Sequence, residues 1–251
     1  MRNTKSLKSY IPNFITTINL LLGCISIVFA LQGELIFAAL LIFASGILDF
    51  LDGVAARLFK AYSEFGKMLD SLADVVSFGV APSFILFNLL KVCIIRDHLE
   101  LTLSSMSFVM FLIPCSAFII AIFSALRLAK FNIDERQTSS FIGLPTPANA
   151  FLVASLPLIL NDNEAISNLV LRTYVLIPFI IILSFLLISE IPMISLKFKN
   201  LSFRDNKSRF ILLAGSALLL VFLKISATPF IFVLYLSISL LDNPQKQAEH
   251  H

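Results

Sequence analysis

Residues 49–74 read DFLDGVAARLFKAYSEFGKMLDSLAD. Asp49, Asp52, Asp70 and Asp74 place four carboxylates within one short stretch of a chain that is otherwise 58% hydrophobic and only 14% charged. A soluble domain carries about a quarter charged residues. The mean hydropathy of +0.92 and repeated apolar runs of about 20 residues point to a polytopic, all-α membrane protein. Charge in hydrocarbon is expensive and marks function. The question is what four acids do there.

Outward from this stretch, eight apolar segments are expected to be helical, at 12–31, 34–57, 68–95, 103–130, 146–160, 170–190, 209–224 and 226–241. They form one domain, 1–251, with no repeat and no dividing linker. The basic start lacks a small-residue cleavage site, and the run from Phe14 to Leu31 is long for a signal peptide, so it reads as the first membrane helix. With eight crossings and a cytoplasmic N-terminus, fifteen of the nineteen Lys and Arg residues fall on the cytoplasmic side. Only Lys91, Arg96, Arg172 and Lys224 fall on the other. Both termini and the aspartates, at the ends of the second and third helices, are thus expected in the cytoplasm. Segment 195–209 alternates basic and apolar residues and reads either as a surface-lying segment or as an ordinary basic loop.

The net charge of +3 gives no sign of a nucleic-acid partner. Cys24, Cys93 and Cys115 have neither paired nor zinc-like spacing. His98 is isolated in a polar stretch, and the terminal AEHH (248–251) reads as a tag remnant. The 25 Phe residues and the absence of Trp say little about chemistry.

Asp49, Asp52, Gly53, Ala56 and Arg57 share one face of a helix, and Gly66, Asp70 and Asp74 share one face of the next. A short polar turn makes these helices antiparallel neighbours, so the acidic faces can oppose. Carboxylates that close need compensation. Their oxygens suit hard divalent cations such as Mg²⁺ or Mn²⁺, a pair of which serves phosphoryl chemistry. Acids within a membrane also build cation pathways, and small residues also serve helix packing. Spacing alone leaves a metal-dependent enzyme and an ion-coupled transporter equally open.

Written as D49-x2-D52-G53-x2-A56-R57-x8-G66-x3-D70-x3-D74, the stretch resembles the signature of the CDP-alcohol phosphatidyltransferases at every defined position. IPNFITTINLLLGCISI (11–27), DSLADVVSFGVAPS (70–83), SALRLAKFNI (124–133) and FIGLPTPANA (141–150) resemble the serine-using, membrane-embedded branch of that family. Asn149 stands where that branch is expected to carry a small residue. The later spans have only generic hydrophobicity.

The resemblance implies transfer of the phosphatidyl group of CDP-diacylglycerol to the hydroxyl of L-serine, with release of CMP, in a homodimer at the cell (inner) membrane. It implies two divalent cations, Mg²⁺ or Mn²⁺, on Asp49, Asp52, Asp70 and Asp74, with Asp74 also the general base. It places Asp52, Gly53, Ala56, Arg57, Gly66 and Lys67 around the nucleotide and diphosphate. Arg127, Lys130 and Asn132 are the acceptor-site candidates, since Arg suits a carboxylate. The Gly143–Pro147 turn reads as structural. A sister transferase using glycerol 3-phosphate would need a basic cluster and lack the serine-branch runs. A transporter would show charged or broken helices near the midplane and often a repeated half.

Overall fold

The computed structural model describes residues 10–97, 108–134, 141–162, 164–194 and 206–241. His98, most of the basic segment 195–209 and the terminal AEHH lie outside the described residues. The described chain is helical, as expected, apart from one pair of two-residue strands. In order it forms α1 (Ile11–Leu31), α2 (Leu35–Leu58), α3 (Glu64–Asp74), a π-helical turn (Val75–Val80) and α4 (Ala81–Asp97). Then come α5 (Phe108–Cys115), a 3₁₀ turn (Ser116–Phe118), α6 (Ile119–Ile133), β1 (Phe141–Ile142), α7 (Thr146–Asp162) and α8 (Glu164–Val170). The chain continues through α9 (Thr173–Ile188), β2 (Pro192–Met193), α10 (Lys207–Leu223), a 3₁₀ turn (Lys224–Ala227) and α11 (Thr228–Leu241).

Each of the eight expected segments contains helix. Among the described residues, four helices are long and apolar enough to cross a membrane: 11–31, 35–58, 64–96 and 110–133. The α8–α9 pair passes the same test only as a single span, bent by 75°. The structure is therefore that of a polytopic membrane protein with four or five membrane-capable helices. α11 is apolar but has only 14 residues.

The helix from Glu64 to Arg96 is the axis of the bundle, with 67% of its apolar window buried against 28%, 28% and 33% for the other three. Around it the pattern of a soluble protein is inverted. The buried face of α1 is Thr16, Asn19, Gly23, Ser26 and Ala30, while Phe14, Leu21, Val28 and Leu31 face outward. Helices in lipid gain nothing from hiding leucine, so small and hydroxyl-bearing residues take the seams where backbones approach. The Ser26 hydroxyl donates to the Ala38 carbonyl at 2.8 Å, and the Asn88 amide donates to the Ala30 carbonyl at 2.9 Å. Gly33, at φ +85°, makes the tight reversal that brings α2 back against α1.

Candidate active site

Two devices align the acidic helices. The Asn19 carbonyl on α1 accepts hydrogen bonds from Ser45 on α2 at 3.4 Å and from Ser77 in the π-helical turn at 3.0 Å. Ser45 lies one turn before Asp49, and Ser77 three residues after Asp74, so one carbonyl registers both carboxylate faces. The π-helical turn begins directly after Asp74 and interrupts the α-helical ladder there. Such insertions often mark functional sites. Ser63 caps the start of α3 by accepting from the Gly66 N–H at 3.0 Å, which sets the polar turn leading into the second acidic face.

The four acids converge. One carboxylate oxygen from each of Asp49, Asp70 and Asp74 lies within 4.8 Å of the others. Asp52 is within electrostatic reach of all three but is held slightly apart. Its Oδ2 accepts from the Thr16 hydroxyl at 2.6 Å. Asp52 and Asp74 are nearly enclosed, at 6% and 8% exposure. Asp70 Oδ1 and Asp74 Oδ1 are buried without a hydrogen-bond donor, and none of the four acids forms an ion pair with Lys or Arg among the described residues. Clustered, unsatisfied carboxylate oxygens repel one another unless a cation joins them. This all-oxygen donor set fits a hard divalent ion.

Asp49, Asp52 and Asp70 border a hollow of about 800 Å³. Of the residues expected around the nucleotide, Asp52, Gly53, Ala56, Arg57, Gly66 and Lys67 all line it, together with Asp49 and Asp70. Their surroundings differ. A Cβ on Gly53 would meet nothing within 4 Å, so the missing side chain leaves open space in the hollow. A Cβ on Gly66 would come within 2.9 Å of Asn13 Oδ1 and 3.0 Å of Ser63 Oγ, so that glycine admits α1 and its own cap. Arg57 is exposed at the rim. Lys67, also exposed, donates to the Asn132 carbonyl at 3.1 Å and so ties α3 to the end of α6.

The acceptor candidates lie elsewhere and do not form one group. Arg127 is 7% exposed, donates through Nη1 to the Thr146 hydroxyl at 2.9 Å and stacks over Phe131. Its Nε has no partner, and its charge reaches Asp74. Asn132 donates to the Ser71 hydroxyl at 2.8 Å, leaving Oδ1 buried and unpaired. Lys130 points away, half-exposed and 3.4 Å from Glu190.

Sequence reading did not single out Asn13, Thr16, Tyr62, Ser63 or Glu64, which also line the hollow. The signal was there in part. Pro12, Asn13 and Thr16 interrupt the apolar opening of α1 at helical spacing, and the turn 60–65 is polar. Nothing in the sequence indicated that Thr16 would meet Asp52.

The sequence model of the CDP-alcohol phosphatidyltransferase family matches residues 9–187, which is most of the chain, and the protein belongs to that family. Relatives narrow the likeness. A Helicobacter pylori CDP-diacylglycerol–serine O-phosphatidyltransferase is 36% identical over 182 residues, covering 72% of this chain and 70% of the relative. A Bacillus subtilis protein of the same name is 38% identical over 139 residues, covering 55% of this chain and 70% of the relative. An archaetidylserine synthase of Methanothermobacter thermautotrophicus is 30% identical over 159 residues, covering 62% of this chain and 61% of the relative.

Proposed function

We propose that this enzyme transfers the phosphatidyl group of CDP-diacylglycerol to the hydroxyl of L-serine and releases CMP. The observation that carries the reading is the convergence of Asp49, Asp70 and Asp74 beside a hollow whose floor is opened by Gly53. Family membership supplies the reaction class, and the names of the relatives supply the acceptor.

Asp49, Asp52, Asp70 and Asp74 would hold two divalent cations, Mg²⁺ or Mn²⁺. When bound, the cations neutralise charge on the diphosphate. Gly53 and Ala56 make room for the nucleotide, with Gly66 keeping the α1–α3 wall close, and Arg57 and Lys67 add positive charge at the rim. Asp74, at the inner end of the cluster, takes the proton of the attacking serine hydroxyl. A bond forms between the serine oxygen and the phosphatidyl phosphorus, and the bond from that phosphorus to the CMP oxygen breaks. An alcohol is a weak nucleophile near neutral pH, so a carboxylate within hydrogen-bond reach is the needed base. Arg127 meets the serine carboxylate from the α6 side, supported by Asn132, and Lys130 belongs to the outer edge of that half. The attack is direct, with no covalent phosphatidyl-enzyme.

The chain acts as one domain, as a homodimer in the cell membrane. Its eight helical segments complete the bundle, with both termini and the site on the cytoplasmic side. The lipid tails remain in the bilayer while the head group enters the hollow.

The test is turnover by the purified protein in detergent with CDP-diacylglycerol and Mn²⁺, offering serine and glycerol 3-phosphate separately and following lipid and CMP. Serine alone should yield a phosphatidyl lipid, and labelled CMP should not exchange into CDP-diacylglycerol without serine. Reaction with glycerol 3-phosphate instead would make the protein a sister transferase. If neither acceptor yields CMP under varied metals, the transferase reading is left without support.

A further inference from the structure

α11 lies beyond the family match, which ends at residue 187, and its composition is that of an ordinary apolar helix. It nevertheless carries Tyr235 and Ser239 one turn apart, and both grip the same residue. The Tyr235 hydroxyl donates to the Ile194 carbonyl at 3.2 Å, and the Ile194 N–H donates to Ser239 Oγ at 3.2 Å. Ile194 directly follows β2, which pairs antiparallel with β1 through Phe141↔Met193 and Ile142↔Pro192. Beyond β1, the Gly143 N–H donates to the Ile191 carbonyl and the Leu144 N–H to the Leu186 carbonyl, both at 2.9 Å. Two residues later, Thr146 accepts the hydrogen bond from Arg127. A continuous line of bonded backbone thus runs from α11 to the guanidinium beside Asp74.

The line is stiff where it turns. Gly143 sits at φ +77°, and a Cβ there would lie 2.6 Å from the Leu187 carbonyl oxygen. Independently of the line, the Tyr235 phenol is itself within electrostatic reach of Arg127. A half-buried tyrosine hydroxyl still needs a partner, and many carbonyls would serve. Here the partner is the Ile194 carbonyl, next to the strand that pairs with β1 ahead of α7. Arg127 is a long, rotamer-rich side chain with one guanidinium nitrogen unpaired in a nearly closed space. Holding such a group in one geometry requires support from outside the reacting set.

We propose that Tyr235 is a positioning residue of the acceptor half of the site: α11 anchors the 141–146 connection and thereby holds Arg127 beside Asp74. The inference rests on the reading of Arg127 as the acceptor-side cation. It predicts a split between the two substrates, because α11 packs chiefly against α10, α7 and β2 rather than against the α1–α3 wall of the nucleotide hollow.

The experiment is steady-state kinetics of the full-length protein in detergent, wild type against Tyr235→Phe and Ser239→Ala, varying serine and CDP-diacylglycerol in turn. Thermal unfolding checks that each variant is folded, and if one is not, the other decides. Losing one neutral hydrogen bond corresponds to a rise of about fivefold in KM for serine. KM for CDP-diacylglycerol should stay at the wild-type value. Unchanged constants, or both KM values rising together, overturn the inference. The wild-type arm reads the function separately. If a different alcohol reacts, the serine assignment falls while the split, measured for that alcohol, still decides the role of Tyr235. If no alcohol reacts, both fall.

Discussion

Asp74 stands between two unlike regions. On the side of α1, α2 and α3 the protein is open, with about 800 Å³ of space lined by Asp49, Asp52, Gly53, Arg57 and Asp70. On the side of α6 and α7 it is closed: Arg127 is nearly buried, and Thr146 and Asn149 are fully so. The open side is made by what is missing, a side chain at Gly53 and small residues along the seams. The closed side is made by what is held, a guanidinium fixed by a hydroxyl and an aromatic ring. A nucleotide diphosphate attached to a lipid needs a preformed hollow. A small amino acid needs few contacts, accurately placed, and these depend on packing far from the chemistry.

The sharpest way to break this picture is at the junction. Asp74→Asn keeps the shape and removes the base, and turnover should fall by about a hundredfold or more. Binding of CDP-diacylglycerol to the open side should change far less. Equal loss of both would make Asp74 part of the hollow rather than the point where the halves meet.

Next come two glycines that look alike in sequence. Gly23 lies in the α1 seam, where a Cβ would sit 2.9 Å from the Ser77 Cα, a backbone atom that cannot step aside. Gly23→Ala should therefore destabilise the protein by about 1–3 kcal/mol, seen as a lower unfolding temperature in detergent. Gly53→Ala meets nothing and replaces a helical glycine, so folding should hold or improve by up to about 1 kcal/mol. Its effect should instead be a higher KM for CDP-diacylglycerol. If Gly53→Ala left that KM untouched, the hollow would not be where the nucleotide sits.

Thr16→Val gives a smaller effect. The Thr16 hydroxyl has one proton and two acceptors near it, Asp52 Oδ2 at 2.6 Å and the Pro12 carbonyl at 3.0 Å. The carboxylate is the stronger acceptor. Removing a hydrogen bond to a charged group costs, at the low end, about 1.5 kcal/mol, or roughly tenfold in an equilibrium constant. The expected readout is a higher Mn²⁺ requirement with the same maximal rate. An unaltered metal requirement would show that Asp52 serves the cations without help from α1.

These contrasts follow the line between what the residues announced and what they did not. The helical class was legible because hydropathy and length respond to the same bilayer. The convergence of Asp49, Asp70 and Asp74 was legible because spacing of three and four residues fixes a helix face and a short turn fixes the neighbour. The span count was less so. Local hydropathy does not report a 75° break at α8–α9. The β1–β2 pair is too short to leave a periodicity. Thr16, Asn19 and Tyr235 act through contacts with helices distant in sequence, and no local pattern encodes a partner 36 or 41 residues away. Asn149 drew notice only as a departure from the expected small residue. It proves to be buried with both amide atoms unpaired, beside the Arg127–Thr146 contact in sequence.

The smallest expected effect tests the closed side from its edge. Arg127 and Lys130 share the run ALRLAKFN, where Lys130 reads equally well as a positive-inside anchor. Their surroundings separate them. Arg127 is enclosed beside Asp74, whereas Lys130 pairs with Glu190 at 3.4 Å, with side-chain exposures of 42% and 73%. An ion pair that open contributes little, because water and salt screen it and two long side chains must be ordered to form it. Lys130→Ala should therefore change KM for serine less than about twofold, a shift below about 0.4 kcal/mol, and raising the salt concentration should leave the ratio to wild type unchanged. Arg127→Ala should raise the same constant far more. A Lys130→Ala effect as large as that of Arg127→Ala would move the acceptor outward, toward the exposed end of α6, and would break the contrast between an open and a closed half.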